Sequence, residues 1–206
     1  LECIGTHTTI FGSISMVVIE TPPDTQHVWL SMGSNMGNRL RWLQAGLDAL
    51  QQLPHTTVLA VSSVYETAFV GESPCGIQPN YFNCACELVT TLSATALLAH
   101  LLHIEQTCGR NRTAGKRNEP RTLDMDIVCI GQQIIQTPTL TVPHPRLQER
   151  LFVLTPLLEL PSAATWQHPV LGCSVVALQQ TLLATLPLGE DSQQELNLLS
   201  KQLKFA

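Results

Sequence analysis

Several things are scarce in this 206-residue chain, and each scarcity excludes a class of protein. Aromatic residues make up 5% of it and charged residues 13%. Lys and Arg number 11 against 16 Asp and Glu, a net charge of −5, so no general basic face for nucleic acid is expected. No apolar run is long enough for a membrane-spanning helix, and no membrane association is expected. The seven cysteines (Cys3, Cys75, Cys84, Cys86, Cys108, Cys129, Cys173) include no CxxC pair. Most lie in apolar, periodic segments where free Cys acts as a small hydrophobe, so reduced thiols of a cytoplasmic protein are expected rather than a metal site. There is no GxxxxGK[ST], and "GSNMGN" (33–38) is too loose to replace it, which excludes a P-loop. Residues 1–15 have no basic n-region and no Arg, so neither a secretory nor a mitochondrial leader is expected.

What is present reads as alternating strands and helices. "SISMVVIET" (13–21) is a short strand candidate, and "PPDTQ" after it reads as a linker. "HVWLSMGSN" (27–35) is a strand running into a turn. Leu40, Leu43, Leu47 and Leu50 recur at helical spacing until Pro54. "TVLAVSSVYET" (57–67) and "YFNCACELVTT" (81–91) are strands. Ser93 is a candidate N-cap for a helix whose apolar face is lined by Leu97, Leu98, Leu101, Leu102, Ile104 and Cys108 and which Gly109 ends. "TLDMDIVCIG" (122–131) is the next strand, and "IIQTPTLTVPHPRL" (134–147) an extended excursion with a proline-set turn. "FVLTPLLEL" (152–160) packs on the core. Val175, Leu178, Leu182 and Leu186 mark a last helix, and a polar tail occupies 188–206. The order predicts an α+β fold: a ferredoxin-like βαββαβ core, mostly antiparallel, with two helices on one face and C-terminal extras.

The charge distribution is uneven. Five of the 11 Lys and Arg fall within residues 110–121: Arg110, Arg112, Lys116, Arg117 and Arg121. Just beyond them, in "LDMDI", Asp124 and Asp126 alternate with apolar residues. Side chains two apart on a strand share a face, and a rise of ~3.3 Å per residue puts their Cα atoms about 6.5–7 Å apart. Two carboxylates so placed repel unless a cation lies between them. Oxygen-only ligands suit Mg²⁺, which shares its sphere with water and phosphate. An isolated acid-x-acid is usually an ordinary solvated strand face, and a lone basic loop a solvated charged stretch. Together they match a polyphosphate, with metal on one side and Arg and Lys on the other.

Six blocks, in order, carry a resemblance: "LSMGSNMGNRL", "SSVYET", "QPNYFNCA", "IEQTCGRNR", "PRTLDMDIVCIG" and "TVPHPRLQERLFVLTPLLEL". Over roughly residues 28–187 the chain resembles the hydroxymethyl-dihydropterin pyrophosphokinases of folate biosynthesis. The resemblance implies transfer of pyrophosphate from ATP to the hydroxymethyl group of the reduced pterin, leaving AMP, with two Mg²⁺ held by Asp124 and Asp126. It implies that Arg110, Arg112 and Arg121 hold phosphates under a loop that closes over ATP. Glu105, Ile127, Thr141, His144 and Arg150 match positions lining the ATP site. Tyr81 and Phe152 match a pair that stacks on the pterin. Asn83 would read its amide edge, and Thr67 and Val70 would line the same pocket. Without the resemblance, Tyr81 and Phe152 read as core aromatics, His144 as a turn residue, and Glu105 as the partner of a nearby Arg.

The chain also departs from the family pattern. Asn118-Glu119 stands where Trp-Gly or Gly-Gly usually precedes the Pro-Arg, and Ala68 stands where Pro is usual. The Gly71–Gln78 loop is longer than usual. The expected organisation is an N-terminal extension or fused-domain tail over 1–27, a pyrophosphokinase domain over 28–187 and the polar tail. The partners implied are ATP and a reduced pterin, with fusion or coupling to another folate-pathway enzyme. Rival readings are a nucleotidyl- or phosphotransferase with the same two-metal logic and another acceptor, a non-catalytic ferredoxin-like binding module, and an RNA-binding sheet. The third is weakest, because RNP-like runs are absent.

Overall fold

A computed structural model of the chain describes residues 25–70, 76–110, 119–186 and 196–199. Strand β1 (Gln26–Ser34) leads to helix α1 (Arg39–Gln51), then strands β2 (Thr56–Val61), β3 (Val64–Thr67) and β4 (Tyr81–Thr90). Helix α2 (Ala94–Thr107) and strand β5 (Asp124–Ile130) complete the core. Asn38 caps α1 by accepting the Arg41 N–H at 3.1 Å, and Leu43, Leu47 and Leu50 are buried as their spacing predicts. Ser93 caps α2 by accepting the Ala96 N–H at 3.2 Å. Gly109 just beyond it turns the chain at φ +85°, a conformation in which a side chain would be strained.

The sheet is antiparallel, in the order β5-β1-β4-β3, with β2 also paired to β4. The single strand expected over 57–67 is therefore two. The chain kinks at Ser62–Ser63, where the Ser62 hydroxyl accepts the Ala85 N–H at 2.9 Å and donates to the Ser63 carbonyl at 2.8 Å. Glu159 pins the kink from the opposite layer, accepting from the Ser63 N–H at 2.8 Å and the Tyr65 hydroxyl at 2.5 Å.

Each sheet face has its own apolar cluster. Val28, Leu30 and Met32 of β1 pack against Leu43, Leu47, Leu97 and Leu101 of α1 and α2. The alternate residues Trp29, Ala85 and Val128 pack beneath the C-terminal elements. These are helices α3 (Leu151–Leu157) and α4 (Val175–Thr185), whereas a hairpin of β6 (Ile135–Gln136) and β7 (Thr141–Val142) joins the first cluster through Ile135, Leu140 and Val142. The extended excursion at 134–147 is that hairpin, and "FVLTPLLEL" supplies α3. Leu186, expected within the last helix, caps it instead.

Two boundaries differ from expectation. β1 begins at Gln26, inside the stretch assigned to an extension. Strand β8 (Leu196–Leu199), within the expected polar tail, pairs antiparallel with β3. The strand candidate at 13–21 lies outside the described residues. Cys84, Cys86, Cys108, Cys129 and Cys173 are free thiols, and among the described residues no helix is long and apolar enough to cross a membrane.

Helix α1 lies close on the sheet at Gly46, where an added Cβ would stand 2.9 Å from Leu123 Cδ2 and 3.0 Å from Met32 Cε. Gly46→Val should overpack this contact and cost about 2 kcal/mol. The check is urea denaturation: a lower midpoint at unchanged m is expected, and an unchanged midpoint would refute the close packing.

Candidate active site

Strand alternation builds the site. On β5, Met125 and Ile127 belong to the helix-side core, which leaves Asp124 and Asp126 on the opposite face. β1 carries Gly33 opposite Asp124 and Ser31 opposite Asp126, and β4 carries Asn83 on the other side of Gly33. Asp124, Gly33 and Asn83 thus run in a row across three strands. A side chain at Gly33 would block the row, since a Cβ there would lie 2.9 Å from Asn83 Oδ1 and 3.5 Å from Tyr81 Cδ1. The Asn83 amide N–H donates to the Thr67 hydroxyl at 2.7 Å, which fixes which end of the amide faces away.

The two aspartates have opposite surroundings. Arg110 Nη1 donates to Asp124 Oδ1 at 2.6 Å, and Arg121 Nη1 to Oδ2 at 2.5 Å. Burial works to raise the Asp124 pKa, but the guanidinium charges of Arg121 and Arg110 hold it below the ordinary carboxylate value. Arg121 feels the converse: burial lowers its pKa, and the Asp124 charge leaves it raised. Among the described residues Asp126 pairs with Arg150, whose Nη1 lies 3.6 Å from Oδ2, and also feels the Arg121 charge. Burial and the charge of Asp124 push its pKa up to about 6. Its side chain nevertheless stays 43% exposed, because it faces a cleft. His144 Nε2 lies 3.4 Å from Arg150, and burial followed by the Arg150 and Arg146 charges pushes the imidazole down to about 4.

Among the described residues one aspartate is therefore neutralised by two arginines, and the other is left with less positive charge at an open face. Among the described residues no three His, Cys, Asp or Glu cluster as metal ligands. A pair of carboxylates fits Mg²⁺, which takes one or two and completes its sphere with water and phosphate oxygens.

Two cavities meet at Asp126. The larger, about 400 Å³, lies on the sheet face and is lined by Thr67, Val70, Tyr81, Asn83, Arg121, Asp124, Asp126, Arg150 and Phe152 among others. The smaller, about 270 Å³, lies between α2, the outer edge of β5 and the β6–β7 hairpin, and includes Asp126, Ile127, Thr141 and His144. The residues expected for a pterin thus gather in one space, and Ile127, Thr141 and His144 in the other. Arg110 and Glu105 line neither. Glu105, 1% exposed, pairs with Arg110 and accepts the Met125 N–H at 2.8 Å, so it supports β5 and Arg110 from below. Arg112 lies outside the described residues, as do Lys116, Arg117 and Asn118. Ser31, Phe69 and Arg146 also line the larger cavity and Leu98 the smaller, without having been singled out in the sequence. Phe69 rather than Phe152 is the ring beside Tyr81, at 6.4 Å between centroids.

The chain is similar to known proteins of one family. The family model for 7,8-dihydro-6-hydroxymethylpterin-pyrophosphokinase (HPPK) matches residues 29–162. The chain is 42% identical over 132 residues to the 2-amino-4-hydroxy-6-hydroxymethyldihydropteridine pyrophosphokinase of Bacillus subtilis, covering 64% of this chain and 76% of that protein. It is 36% identical over 169 residues to the folic acid synthesis protein fol1 of Pneumocystis carinii, covering 81% of this chain but 22% of that protein. The HPPK-DHPS protein of Plasmodium falciparum shares the fold at a TM-score of 0.60 and 14% identity, over 78% of this chain and 46% of that one. The chain thus spans about a fifth of fol1 and under half of the Plasmodium chain.

The raised Asp126 pKa has a consequence for stability. The native state holds this proton more tightly than the unfolded chain between about pH 4 and about 6, so stability falls as pH rises through that window. Asp126→Asn removes the penalty. Discounted for solvent screening of a part-exposed group, the gain is about 1 kcal/mol, or roughly 2–4 °C in Tm. Thermal melts at pH 7.5 should show that gain and melts at pH 4 should not; a variant melting no higher than wild type at pH 7.5 contradicts the assignment.

Proposed function

Because the chain belongs to the 7,8-dihydro-6-hydroxymethylpterin-pyrophosphokinase family, we propose that it transfers pyrophosphate from ATP to the hydroxymethyl group of 6-hydroxymethyl-7,8-dihydropterin in folate biosynthesis. The hydroxymethyl oxygen bonds to the β-phosphorus of ATP and gives up its proton. The bond from that phosphorus to the oxygen it shares with the α-phosphate breaks, and AMP leaves with the electron pair. The observation that carries this reading is that Asp126 stands in both cavities, so a donor in one and an acceptor in the other would meet over the paired carboxylates.

The larger cavity takes the pterin. Tyr81 and Phe152 offer aromatic faces, and Asn83, its amide oriented by Thr67, reads the ring's polar edge, with Val70 in the wall. The smaller cavity takes ATP, with Ile127 and Thr141 in its lining and neutral His144 at the phosphates, which Arg150 would reach from the larger cavity. Arg110 and Arg121, which neutralise Asp124 in this structure, turn to the phosphates once a ligand brings its own cations; Arg112 and the rest of the basic segment add charge there by sequence position. Asp124 and Asp126 would hold two Mg²⁺, which would supply positive charge to offset the negative charge that develops on transfer. The protein's own part is positioning: it sets the acceptor oxygen and the donor phosphates side by side.

The topology supports a ferredoxin-like core, if β2 and β3 are counted as one kinked strand. We read 28–187 as the catalytic domain and the protein as cytoplasmic. The names of fol1 and HPPK-DHPS support fusion to, or coupling with, another folate-pathway enzyme.

Replacing either aspartate tests the mechanism. Asp124→Ala or Asp126→Ala should lower transfer by about a thousandfold, or ~4 kcal/mol, with the circular dichroism spectrum unchanged. A folded double variant with full activity would exclude the paired-carboxylate mechanism.

A further inference from the structure

Directly behind the larger cavity, on the helix-side face of the sheet, one cation touches three segments. Arg39, in the first turn of α1, donates from Nη1 to Glu66 Oε1 at 2.7 Å and to the Asn80 carbonyl at 2.7 Å. Its guanidinium carbon also stands 3.6 Å from the centroid of the Phe82 ring. Each partner is one residue from a cavity residue. Glu66 precedes Thr67, Asn80 precedes Tyr81, and Phe82 separates Tyr81 from Asn83. Glu66 and Phe82 face each other across β3 and β4, as do Thr67 and Tyr81 one step on. Alternation sends Tyr81 and Asn83 to the cavity and Phe82 to the opposite side, where it packs against the α1–α2 core.

We propose that Arg39 is a positioning residue for the acceptor pocket, an inference that rests on the reading of that cavity as the pterin site. Its flat fork makes two hydrogen bonds while its face covers an aromatic ring, a combination Lys cannot reproduce. It ties the β3 end, the carbonyl entering β4 and the second residue of β4 to α1, and so fixes the strand segment from which Tyr81 and Asn83 project. The Arg39 and Glu66 side chains are 25% and 27% exposed, so the ion pair itself adds little to global stability. Its effect is local, on the orientation of two side chains that recognise a flat ring. None of its contacts among the described residues lines the smaller cavity, so ATP recognition does not depend on it.

The test uses the full chain and the variants Arg39→Ala, Arg39→Lys and Glu66→Gln. Steady-state KM is measured for the reduced pterin and for ATP, and amide hydrogen exchange is followed over residues 80–83. Arg39→Ala should raise the pterin KM by about tenfold or more, leave the ATP KM within about twofold, and speed exchange at Tyr81–Asn83. Arg39→Lys should restore part of the loss, and Glu66→Gln should fall between wild type and Arg39→Ala. An unchanged pterin KM in an active enzyme overturns the proposal, as does an equal rise in both KM values with a lowered Tm, which would mark a merely structural arginine. If wild type transfers no pyrophosphate, the proposed function fails instead, and exchange alone decides: faster at Tyr81–Asn83 in Arg39→Ala supports the clamp, unchanged overturns it.

Discussion

Two carboxylates on one face of an edge strand repel each other, and the catalytic end of this molecule is organised by how that repulsion is answered. Asp124 is answered from within, by Arg110 and Arg121 on its two oxygens. Asp126 is answered only in part, by Arg150 at 3.6 Å, and keeps an open side. Holding the arginines in place recruits residues that line neither of the two cavities. Glu105 braces Arg110 from beneath. Asn35, 1% exposed, accepts the Arg121 N–H at 2.6 Å and donates its own backbone N–H to the Arg121 carbonyl at 3.0 Å. Its amide nitrogen donates to Gln78 at 3.0 Å and to the Pro79 carbonyl at 3.3 Å, so the same side chain ties Arg121 to the approach to Tyr81. A carboxylate whose charge is only partly offset destabilises the chain alone and favours a ligand that supplies cations.

The division of the sheet into two faces makes this affordable to the fold. The face under α1 and α2 is a continuous apolar cluster that does not depend on the site. The other face is covered by α3 and α4 over Trp29, Ala85 and Val128, and is open from Ser31 to Tyr81. Asp126 belongs to both cavities because β5 stands at the end of the sheet: its face borders one and its outer edge the other. An inner strand, paired on both sides, would offer only its face.

Much of this was legible in the sequence because it is local. The leucine spacing from Leu40 to Leu50, the cap at Ser93 and the i, i+2 placement of Asp124 and Asp126 depend on neighbours in the chain. What was not legible depends on residues far apart. The kink at Ser62–Ser63 is held by Ala85 and Glu159, so 57–67 read as one strand. β8 is a strand only because β3 offers an edge. Ser31 faces the site by the alternation that exposes Gly33, but locating it needs the β1–β5 register, which one sequence does not contain. Glu105 sits on a helix whose period does not say whether its carboxylate turns to a ligand or to Arg110 and the Met125 amide. The family resemblance implies the ligands of the two cavities; the register and the cavities themselves are what bring Asp126 into both.

The central claim is that the two cavities present a pyrophosphate donor and a flat acceptor to each other across Asp126. The most direct test is to incubate the protein with ATP, Mg²⁺ and 6-hydroxymethyl-7,8-dihydropterin and to quantify nucleotides and pterins together. The account predicts AMP and pterin pyrophosphate in one-to-one amounts, with no AMP when the pterin is omitted. ADP in place of AMP, or AMP that forms without the pterin, would contradict it.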